Sequence, residues 1–474
     1  MSLRPFRVGS WLIGLILVAV LAWTGAWLGA YLRFGARWVP RAAPSEPATP
    51  SRRVDTVILI TLDALRFDHV SAYGYPYRTT PRLDELAARG VVFTQAFAAS
   101  TWTYPSLTSM LTSTSPSTHA VRFAGARLRD DLPFPARSLS EAGVATAFYV
   151  AHAQFGSSMT PGFAAGEASF RLPADRLTDR AIAYLRGRPA GPVFLWLHYI
   201  EPHDPYQNPD GLGALEPAGL APPPASLSCP RPARIDPHNS ATPPEFIQDG
   251  ELDFAPYVAR YDRYIHFADR EIGRFLDYLL ARPGAERTAV LVSSDHGEMF
   301  GEHGMVQHSG FPYDELIHVP LLVYLGGAAH PRRIESPVSN LDFLPTACEL
   351  LGVRPPAACE GRSLVPLLEG SERAGRLIYA EAQRAGERTA CLRGAGRKLF
   401  YAQFARPRVA YYDLRRDPCE LAPLALDKVS WPRAPKMAYL YRSLIRHTSV
   451  FRPVEAQELD PATLRQLREL GYVR

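Results

Sequence analysis

The chain has 474 residues, a length that suits one large domain or two smaller ones, and 47% of them are hydrophobic, which supports a well-filled core. The net charge is +5, but no stretch forms a basic stripe, so we expect no nucleic-acid partner. The five cysteines include no C-x-x-C pair, so the sequence suggests neither a zinc knuckle nor a redox pair, and one or two disulfides remain open.

The N-terminal segment predicts a membrane anchor. Trp11–Leu32 runs for 22 residues without a charge, which is long enough to cross a bilayer. A cleaved signal peptide is the alternative, but its apolar region is usually shorter, about 7–15 residues, and no clear A-x-A site follows. We therefore predict an anchor over residues 1–33, followed by a Pro/Ala/Ser linker over residues 34–53.

The next segment, residues 54–370, predicts an α/β catalytic domain. Short apolar runs rich in β-branched residues predict buried strands, and amphipathic stretches predict helices between them. Strands that alternate with helices indicate a largely parallel sheet flanked by helices. The strands are predicted at Val57–Leu62, Val193–Leu197 and Thr288–Val292, and the helices at Thr80–Arg89 and Tyr261–Leu280.

Two regions depart from this alternation. Residues 205–256 are rich in proline and predict a surface insertion, which either has no role or shapes the substrate entrance. Residues 371–474 contain shorter elements. There, RKLFYAQFARPRVAYYDL indicates strand, turn and strand, and PATLRQLRELGYV indicates a terminal helix. We therefore predict a small C-terminal antiparallel subdomain.

Polar residues follow three of the predicted strands. Asp63 follows the first, His198 and His203 follow the second, and Asp295 with His296 follows the third. Ligands of open α/β sheets bind beyond the carboxyl ends of the strands, so we expect these residues to meet at one edge. One such residue would be an ordinary cap or turn, but three strands that each deliver one indicate a site.

The residue types at this edge predict a metal. Carboxylates with an imidazole suit one divalent ion, either Mn, Zn, Mg or Ca, held by Asp63, Asp295 and His296. A hydroxyl could be the fourth ligand, and Thr103 is the candidate because the segment after it, PSLTSMLTS, predicts a helix. A hydroxyl at a helix N-terminus lies in positive potential, which favours its use as a nucleophile. The alternative is an ordinary threonine N-cap.

Five motifs in order resemble those of sulfatases, within the alkaline phosphatase superfamily. They are ITLDALRFDH with STWTYPSLTSMLTS, SSDHGEMFGEHGMVQHSG, SPVSNLDFLPTACELLGV, AYYDLRRDPCEL and LRQLRELGYV. The resemblance covers residues 54–474. It implies an alkaline-phosphatase-like mixed, largely parallel sheet and an enzyme that hydrolyses anionic esters.

The resemblance also implies roles for single residues. Asp63 matches the first metal-binding Asp of the family, and Asp295 with His296 matches its downstream metal pair. Thr103 matches the residue that sulfatases convert to formylglycine. His203 matches the His of the P-H-x-P segment, which contacts the transferred group.

Two further histidines are assigned more loosely. His308 lies near the position where the family places a Lys or His on the same transferred group. His198, at the strand end, either supports a metal ligand or binds the metal itself. Arg66, which follows the metal-binding Asp, either orients that Asp or forms a plain salt bridge. We interpret Glu298, Glu302 and His303 as structural or supporting residues; these three lie downstream of the second metal pair.

Three positions depart from the sulfatase pattern. Thr103 stands where the family has Cys or Ser, so conversion to formylglycine is not expected. Leu107 replaces the supporting Arg, and Ala64 replaces the second Asp. The set of Asp, Thr, Asp and His instead resembles that of lipoteichoic acid synthases and phosphoethanolamine transferases, which act outside the cytoplasm behind a membrane anchor.

We therefore expect a metal-dependent hydrolase of sulfate or phosphate esters that uses Thr103 as its nucleophile. A membrane phospho-group transferase is the first alternative, and a non-catalytic relative is the second. The arginines that flank the anchor slightly favour a cytoplasmic catalytic domain. The analogy with the transferases favours the opposite, and we follow it: a single-pass protein of the bacterial inner membrane with its catalytic domain periplasmic or extracellular. The sequence predicts no oligomeric state.

Overall fold

The computed structural model describes most of the chain between residues 54 and 424, together with Arg465. The gaps within that span are residues 123–124, 153–154, 156–158, 189–190, 207–228, 240–241, 244–245, 309, 328–330, 372–375, 385–386 and 404–407. The predicted anchor, linker and terminal helix, and much of the proline-rich insertion, lie outside the described residues. Among the helices that are described, none is both long enough and apolar enough to span a membrane.

A nine-stranded sheet forms the centre of the molecule. The strands of the described residues are β1 Thr56–Leu62, β2 Val91–Phe97, β3 Ala145–Val150, β4 Ala165–Ala168, β5 Val193–Tyr199, β6 Thr288–Ser294, β7 Met299–Phe300, β8 Val306–Gln307, β9 His318–Leu325, β10 Arg332–Ile334, β11 Val338–Ser339, β12 Ile378–Arg384, β13 Glu387–Gly394, β14 Arg397–Gln403 and β15 Arg408–Asp413. The strands of the central sheet run in the order β10-β2-β9-β6-β1-β5-β3-β4, with β11 also paired to β2, and β9 is antiparallel to both of its neighbours. The mixed, largely parallel sheet that the sequence predicts is confirmed.

Helices cover both faces of this sheet. The helices are α1 Pro81–Ala87, α2 Thr103–Thr112, α3 Pro116–His119, α4 Pro135–Glu141, α5 Ala174–Gly187, α6 Phe254–Leu280, α7 Asp314–Ile317, α8 Phe343–Leu350 and α9 Val365–Leu368. Apolar residues of α1, α5 and α6 form one hydrophobic cluster with the sheet, and those of α2, α4, α8 and α9 form another.

Burial of strand β1 on both faces explains why its sequence is apolar. Ile58 and Ile60 belong to the first cluster, whereas Val57 and Leu59 belong to the second, as the two-residue period of a strand requires. A strand that is buried on both faces cannot alternate apolar with polar residues, so it appears in the sequence as a continuous apolar run.

Helix α6 is longer than the sequence predicts. It begins at Phe254 rather than at Tyr261, so the last residues of the predicted insertion are helical. Phe254, Tyr257 and Val258 are all buried, and their spacing of three and four residues continues the apolar stripe of the helix. The proline content of the preceding segment concealed this start.

The C-terminal subdomain is an antiparallel sheet of four strands in the order β12-β13-β14-β15. The predicted pair of strands is confirmed as β14 and β15, and two further strands precede them. Buried Lys398 joins the subdomain to the main domain by an ion pair with Asp314 at 3.0 Å, and within the subdomain it pairs with Glu420 at 2.8 Å. A disulfide between Cys229 and Cys419 links it to the proline-rich insertion.

Candidate active site

The three strands that carry the predicted polar residues are neighbours in the sheet. Strand β1 lies between β5 and β6, and it is parallel to both. Leu62 pairs with Tyr199 on one side and with Ser294 on the other, so Asp63 and Asp295 leave the sheet at the same level. The predicted convergence of three strand ends on one site is confirmed.

Asp63, Asp295 and His296 form a fully buried cluster at this edge, and their possible metal-binding atoms all lie within 4.8 Å of one another. His296 Nε2 lies 3.5 Å from Asp63 Oδ1 and 3.5 Å from Asp295 Oδ2. His296 Nδ1 donates a hydrogen bond to the carbonyl oxygen of Gly297 at 2.7 Å. In the neutral ring, this bond leaves Nε2 with a lone pair that faces the two carboxylates.

The electrostatics of the cluster fit a divalent cation. Asp63 Oδ2 and Asp295 Oδ2 are buried, and neither accepts a hydrogen bond from any residue that the structure describes. Burial, and then the nearby charge of Asp295, hold the pKa of Asp63 well above its usual range. Two adjacent buried carboxylates are unfavourable unless a positive charge lies between them, and two carboxylates with one imidazole nitrogen are a donor set that fits a divalent metal ion.

Thr103 lies at the same cluster. It is the first residue of α2 and is fully buried; its hydroxyl lies 3.1 Å from His296 Nε2 and donates to Asp63 Oδ1 at 3.3 Å. The Ser106 hydroxyl donates to the Asp295 carbonyl at 2.5 Å, which ties the start of the helix to the end of β6. The helix N-terminus therefore holds the Thr103 hydroxyl beside the metal-binding atoms, in favourable positive potential.

Three imidazoles form a row along the site. The ring centroid of His308 lies 5.2 Å from that of His296 and 5.2 Å from that of His203. His203 Nδ1 donates to the Asp204 carbonyl at 2.7 Å, and burial holds the pKa of His203 well below its usual range. The structure thus brings both predicted histidines to the site, with His203 neutral and its ring orientation fixed by the backbone.

His198 lies at the same end of the sheet, fully buried. Its Nε2 is 3.6 Å from Asp63 Oδ2, and its Nδ1 is 2.9 Å from the Thr61 hydroxyl. Burial lowers the pKa of His198 to about 4, so the ring is neutral at physiological pH. These contacts place His198 against a metal ligand of the predicted cluster.

One further histidine at the site escaped the sequence analysis. His152 is fully buried two residues after β3, and it is among the groups that lower the pKa of His203. The signal was present, since a polar residue again follows a strand that neighbours β5. It was missed because β3, with the sequence ATAFYV, was not recognised as a strand.

The remaining candidate residues, Arg66, Glu302, His303 and Glu298, make ion pairs, ring contacts or buried contacts within the protein. Arg66 is buried and pairs with Asp68 at 2.7 Å and with Glu302 at 2.9 Å, so the plain salt bridge is confirmed. The His303 ring stacks on Tyr313 with 3.7 Å between centroids. Burial, and then the charge of Asp204, hold the pKa of buried Glu298 well above its usual range.

Two of the departures from the sulfatase pattern also have a place in the structure. Leu107 is fully buried in the apolar cluster of α2, where it packs rather than presenting a charge to the site. Ala64 has a positive φ of 61°, and its backbone N–H donates to Asp295 Oδ1 at 3.2 Å. Ala64 therefore supports a predicted ligand through its backbone.

Comparisons with known proteins agree with the fold and the motifs. The family model described as Sulfatase matches residues 55–353, and the model for the C-terminal region of N-sulphoglucosamine sulphohydrolase matches residues 301–437. The chain is 26% identical to a Δ4,5-hexuronate-2-O-sulfatase of Bacteroides thetaiotaomicron, over 84% of this chain and 89% of that protein.

Solved structures are similar over most of their length. A phosphonate monoester hydrolase of Agrobacterium radiobacter gives a TM-score of 0.66 at 22% identity, covering 86% of this chain and 98% of the other. A 2-O GAG sulfatase gives a TM-score of 0.68 at 22% identity, covering 87% of this chain and 96% of the other. At these identities the structural similarity establishes the fold.

Proposed function

The chain belongs to the sulfatase family of ester hydrolases, and from that premise we propose that it cleaves anionic esters with Thr103 as its nucleophile. The single observation that carries this proposal is the position of the Thr103 hydroxyl, 3.1 Å from His296 Nε2 and 3.3 Å from Asp63 Oδ1. The substrates are esters of sulfate, phosphate or phosphonate.

Phosphorus esters are favoured because of the chemistry of threonine. A formylglycine sulfatase uses the second hydroxyl of a hydrated aldehyde to expel sulfate, and Thr103 has only one hydroxyl. An ester of Thr103 must instead be broken by attack on its phosphorus or sulfur atom. Phosphorus centres accept in-line attack by an oxygen nucleophile in this way, and one structural relative is named as a phosphonate monoester hydrolase.

The two half-reactions follow from this arrangement. The Thr103 oxygen forms a bond to the phosphorus or sulfur atom while the bond to the leaving oxygen breaks, and that oxygen takes up a proton. Water then attacks the threonyl ester, which releases the acid and restores the hydroxyl. We assign the proton transfers to His203 and His308, which form a row with His296 and would give a bell-shaped pH profile.

A divalent cation held by Asp63, Asp295, His296 and Thr103 would neutralise charge on the substrate oxygens and lower the pKa of the hydroxyl. The buried Oδ2 of Asp295, which accepts no hydrogen bond from the described residues and lies 3.5 Å from His296 Nε2, supports this assignment. The orientation of His296 supports it too, since its Nδ1 is bound to a backbone carbonyl and its Nε2 faces the carboxylates.

We also propose that the enzyme acts outside the cytoplasm, anchored to the bacterial inner membrane by residues 1–33. The uncharged run of Trp11–Leu32 supports the anchor. The disulfide between Cys229 and Cys419 supports the compartment, because structural disulfides form in oxidising environments such as the periplasm.

The experiment that tests the activity compares four substrates on the purified protein. Aryl sulfate, aryl phosphate monoester, phosphate diester and phosphonate ester are each assayed after reloading with Mn, Zn, Mg or Ca. Thr103→Ala is assayed alongside. Thr108→Ala is the matched control, because this residue lies on the same helix and its hydroxyl donates to the Tyr104 carbonyl at 2.7 Å.

We expect turnover of phosphorus esters that Thr103→Ala abolishes and Thr108→Ala retains. Turnover of the aryl sulfate alone, still dependent on Thr103, would contradict the argument from the missing second hydroxyl. Bound metal without turnover of any ester would favour a transferase that lacks its acceptor or a non-catalytic relative. Adding acceptor alcohols to the assay separates those two outcomes.

A further inference from the structure

A chain of three buried side chains leads from the interior of the sheet to the metal cluster. The Trp196 indole N–H donates to the Thr61 hydroxyl oxygen at 3.0 Å, and that oxygen lies 2.9 Å from His198 Nδ1. His198 Nε2 then lies 3.6 Å from Asp63 Oδ2. Trp196, Thr61 and His198 are all fully buried, so water does not compete for these contacts.

The donors and acceptors of this chain favour one tautomer of His198. Trp196 can only donate, so Thr61 accepts that bond and keeps its own hydrogen to donate. The shorter of its two contacts is with His198 Nδ1 at 2.9 Å, against 3.4 Å to the Leu197 carbonyl. When Nδ1 accepts this hydrogen, the neutral ring carries its proton on Nε2, which faces Asp63.

Asp63 Oδ2, the other partner in the contact with His198 Nε2, needs a hydrogen-bond donor. Asp63 Oδ2 is buried and accepts no hydrogen bond from the described residues, while Oδ1 faces Thr103 and His296. An N–H on His198 would satisfy Oδ2, whereas a lone pair there would face a carboxylate. The same nitrogen, His198 Nε2, is also buried without a hydrogen-bond partner in the described part of the chain.

We propose that His198 is a positioning residue rather than a metal ligand: its Nε2–H holds Asp63 Oδ2, and thereby aims Oδ1 at the metal and at the Thr103 hydroxyl. Trp196 and Thr61 fix the tautomer that makes this possible. The role deepens the proposed function and rests on it, because it concerns how Asp63 is presented for that chemistry. Side chains that orient a ligand in this way typically change metal affinity or activity by about 10–100-fold when they are lost.

The first test measures directly which ring nitrogen of His198 carries the proton. Full-length protein labelled with ¹⁵N-histidine is examined by long-range ¹H–¹⁵N correlation spectra, with the His198 signals assigned by their loss in a variant. We expect Nε2 to be protonated both without metal and with Zn²⁺. An unprotonated Nε2 that shifts when Zn²⁺ binds would overturn the proposal, because His198 would then be a ligand.

Two matched variants distinguish the roles of the two ring nitrogens of His198. His198→Gln keeps an N–H donor near the place of Nε2, whereas His198→Asn keeps a polar group only near the place of Nδ1. Calorimetric titration with Zn²⁺ should give a dissociation constant for His198→Gln within several-fold of the wild type. The constant for His198→Asn should be about 10–100-fold weaker. Equal affinity of His198→Asn and the wild type would contradict the proposal.

The upstream part of the chain is tested at Thr61. Thr61→Ser keeps the hydroxyl and should leave Zn²⁺ affinity unchanged, whereas Thr61→Val removes it and should weaken binding.

Failure of the proposed function is distinguishable from failure of this proposal. A Thr103→Ala protein that still turns over substrate contradicts the nucleophile, while the His198 proton, which is observable in the metal-free protein, still decides the role of His198.

Discussion

The Thr103 hydroxyl lies 3.3 Å from Asp63 Oδ1 and 3.1 Å from His296 Nε2. Because an isolated threonine hydroxyl is a weak nucleophile, the role that we propose for Thr103 depends on these neighbours. Asp63, Asp295 and His296 reach it from two adjacent strand ends, and each of these residues could be predicted from its position after an apolar run. His152 could have been predicted by the same rule, but only after its strand was recognised. The pairing of Arg66 with Glu302 could not be predicted, since the two residues are distant in sequence and neither follows a predicted strand directly.

The metal site makes one prediction at the residue scale. Asp295→Asn keeps an oxygen for the N–H groups of Ala64 and His296 but removes the charge on the oxygen that faces His296. Zn²⁺ affinity should fall by more than the about 10–100-fold expected for loss of an outer partner. Calorimetry measures this change, with Asp277→Asn on the exposed surface as the control. Wild-type affinity in Asp295→Asn would remove Asp295 from the ligand set.

The buried ion pairs of Arg66 make another prediction. Arg66→Met leaves Asp68 and Glu302 buried without their partner, and this should lower the free energy of unfolding by about 3–5 kcal/mol. Burial alone would raise the pKa of Asp68, but Arg66 lowers it to about 2. Stability from this pair is therefore present above the unfolded pKa, about 4, and is lost as the pH falls towards 2.

Chemical denaturation at pH 6 and pH 3 measures both effects of Arg66. The difference between the wild type and Arg66→Met should be smaller at the lower pH, because protonated Asp68 no longer needs a cation. A difference that stays constant with pH would show that Arg66 stabilises the protein through packing rather than through charge.

At the scale of elements, the strands of the sheet were easier to predict than the connections between them. Strands β1, β5 and β6 are buried on both faces and appear as apolar runs, whereas the start of α6 follows a proline-rich segment with no periodicity. The disulfide could not be predicted from spacing, because Cys229 and Cys419 are 190 residues apart and five cysteines allow many pairings.

The disulfide makes a prediction about these elements. Its segment packs on the hairpin that precedes His308, since the Asn239 amide donates to the Gly304 carbonyl at 2.7 Å. Replacing both Cys229 and Cys419 by Ser should lower the free energy of unfolding by about 2–4 kcal/mol, because a long loop is no longer closed. Chemical denaturation tests this, with Cys391→Ser as a control for loss of a buried thiol. Equal stability of the double variant and the wild type would show that the link contributes nothing.

At the scale of the whole molecule, the alternation of strands and helices predicts the α/β architecture, and the polar residues that follow the apolar runs predict which strand ends meet. What the sequence could not predict is the charge state of the buried acids. Asp269 accepts the backbone N–H groups of Arg82 and Leu83 at 2.9 Å each, and burial raises its pKa to about 8. Only the fold reveals that this acidic residue of an amphipathic helix is fully buried.

The contribution of Asp269 to stability should therefore fall as the pH rises from about 4 to about 8. In this window the unfolded chain releases the proton of Asp269 while the folded chain retains it, so this group favours the unfolded state. Thermal melts should show the melting temperature of the wild type falling across this range relative to that of Asp269→Asn, which cannot ionise. An identical pH dependence in both proteins would contradict the prediction.

The central claim is that Thr103 forms a covalent ester during turnover. The most direct test is to quench the metal-loaded enzyme with acid while it turns over a phosphonate or phosphate ester, and to determine the mass of its active-site peptide. The account predicts one added phosphonyl or phosphoryl group on Thr103. Thr103→Ser should carry the same group if that variant is active. Thr103→Ala should never carry it. Turnover by Thr103→Ala at the wild-type rate, with no adduct on the wild-type peptide, would contradict it.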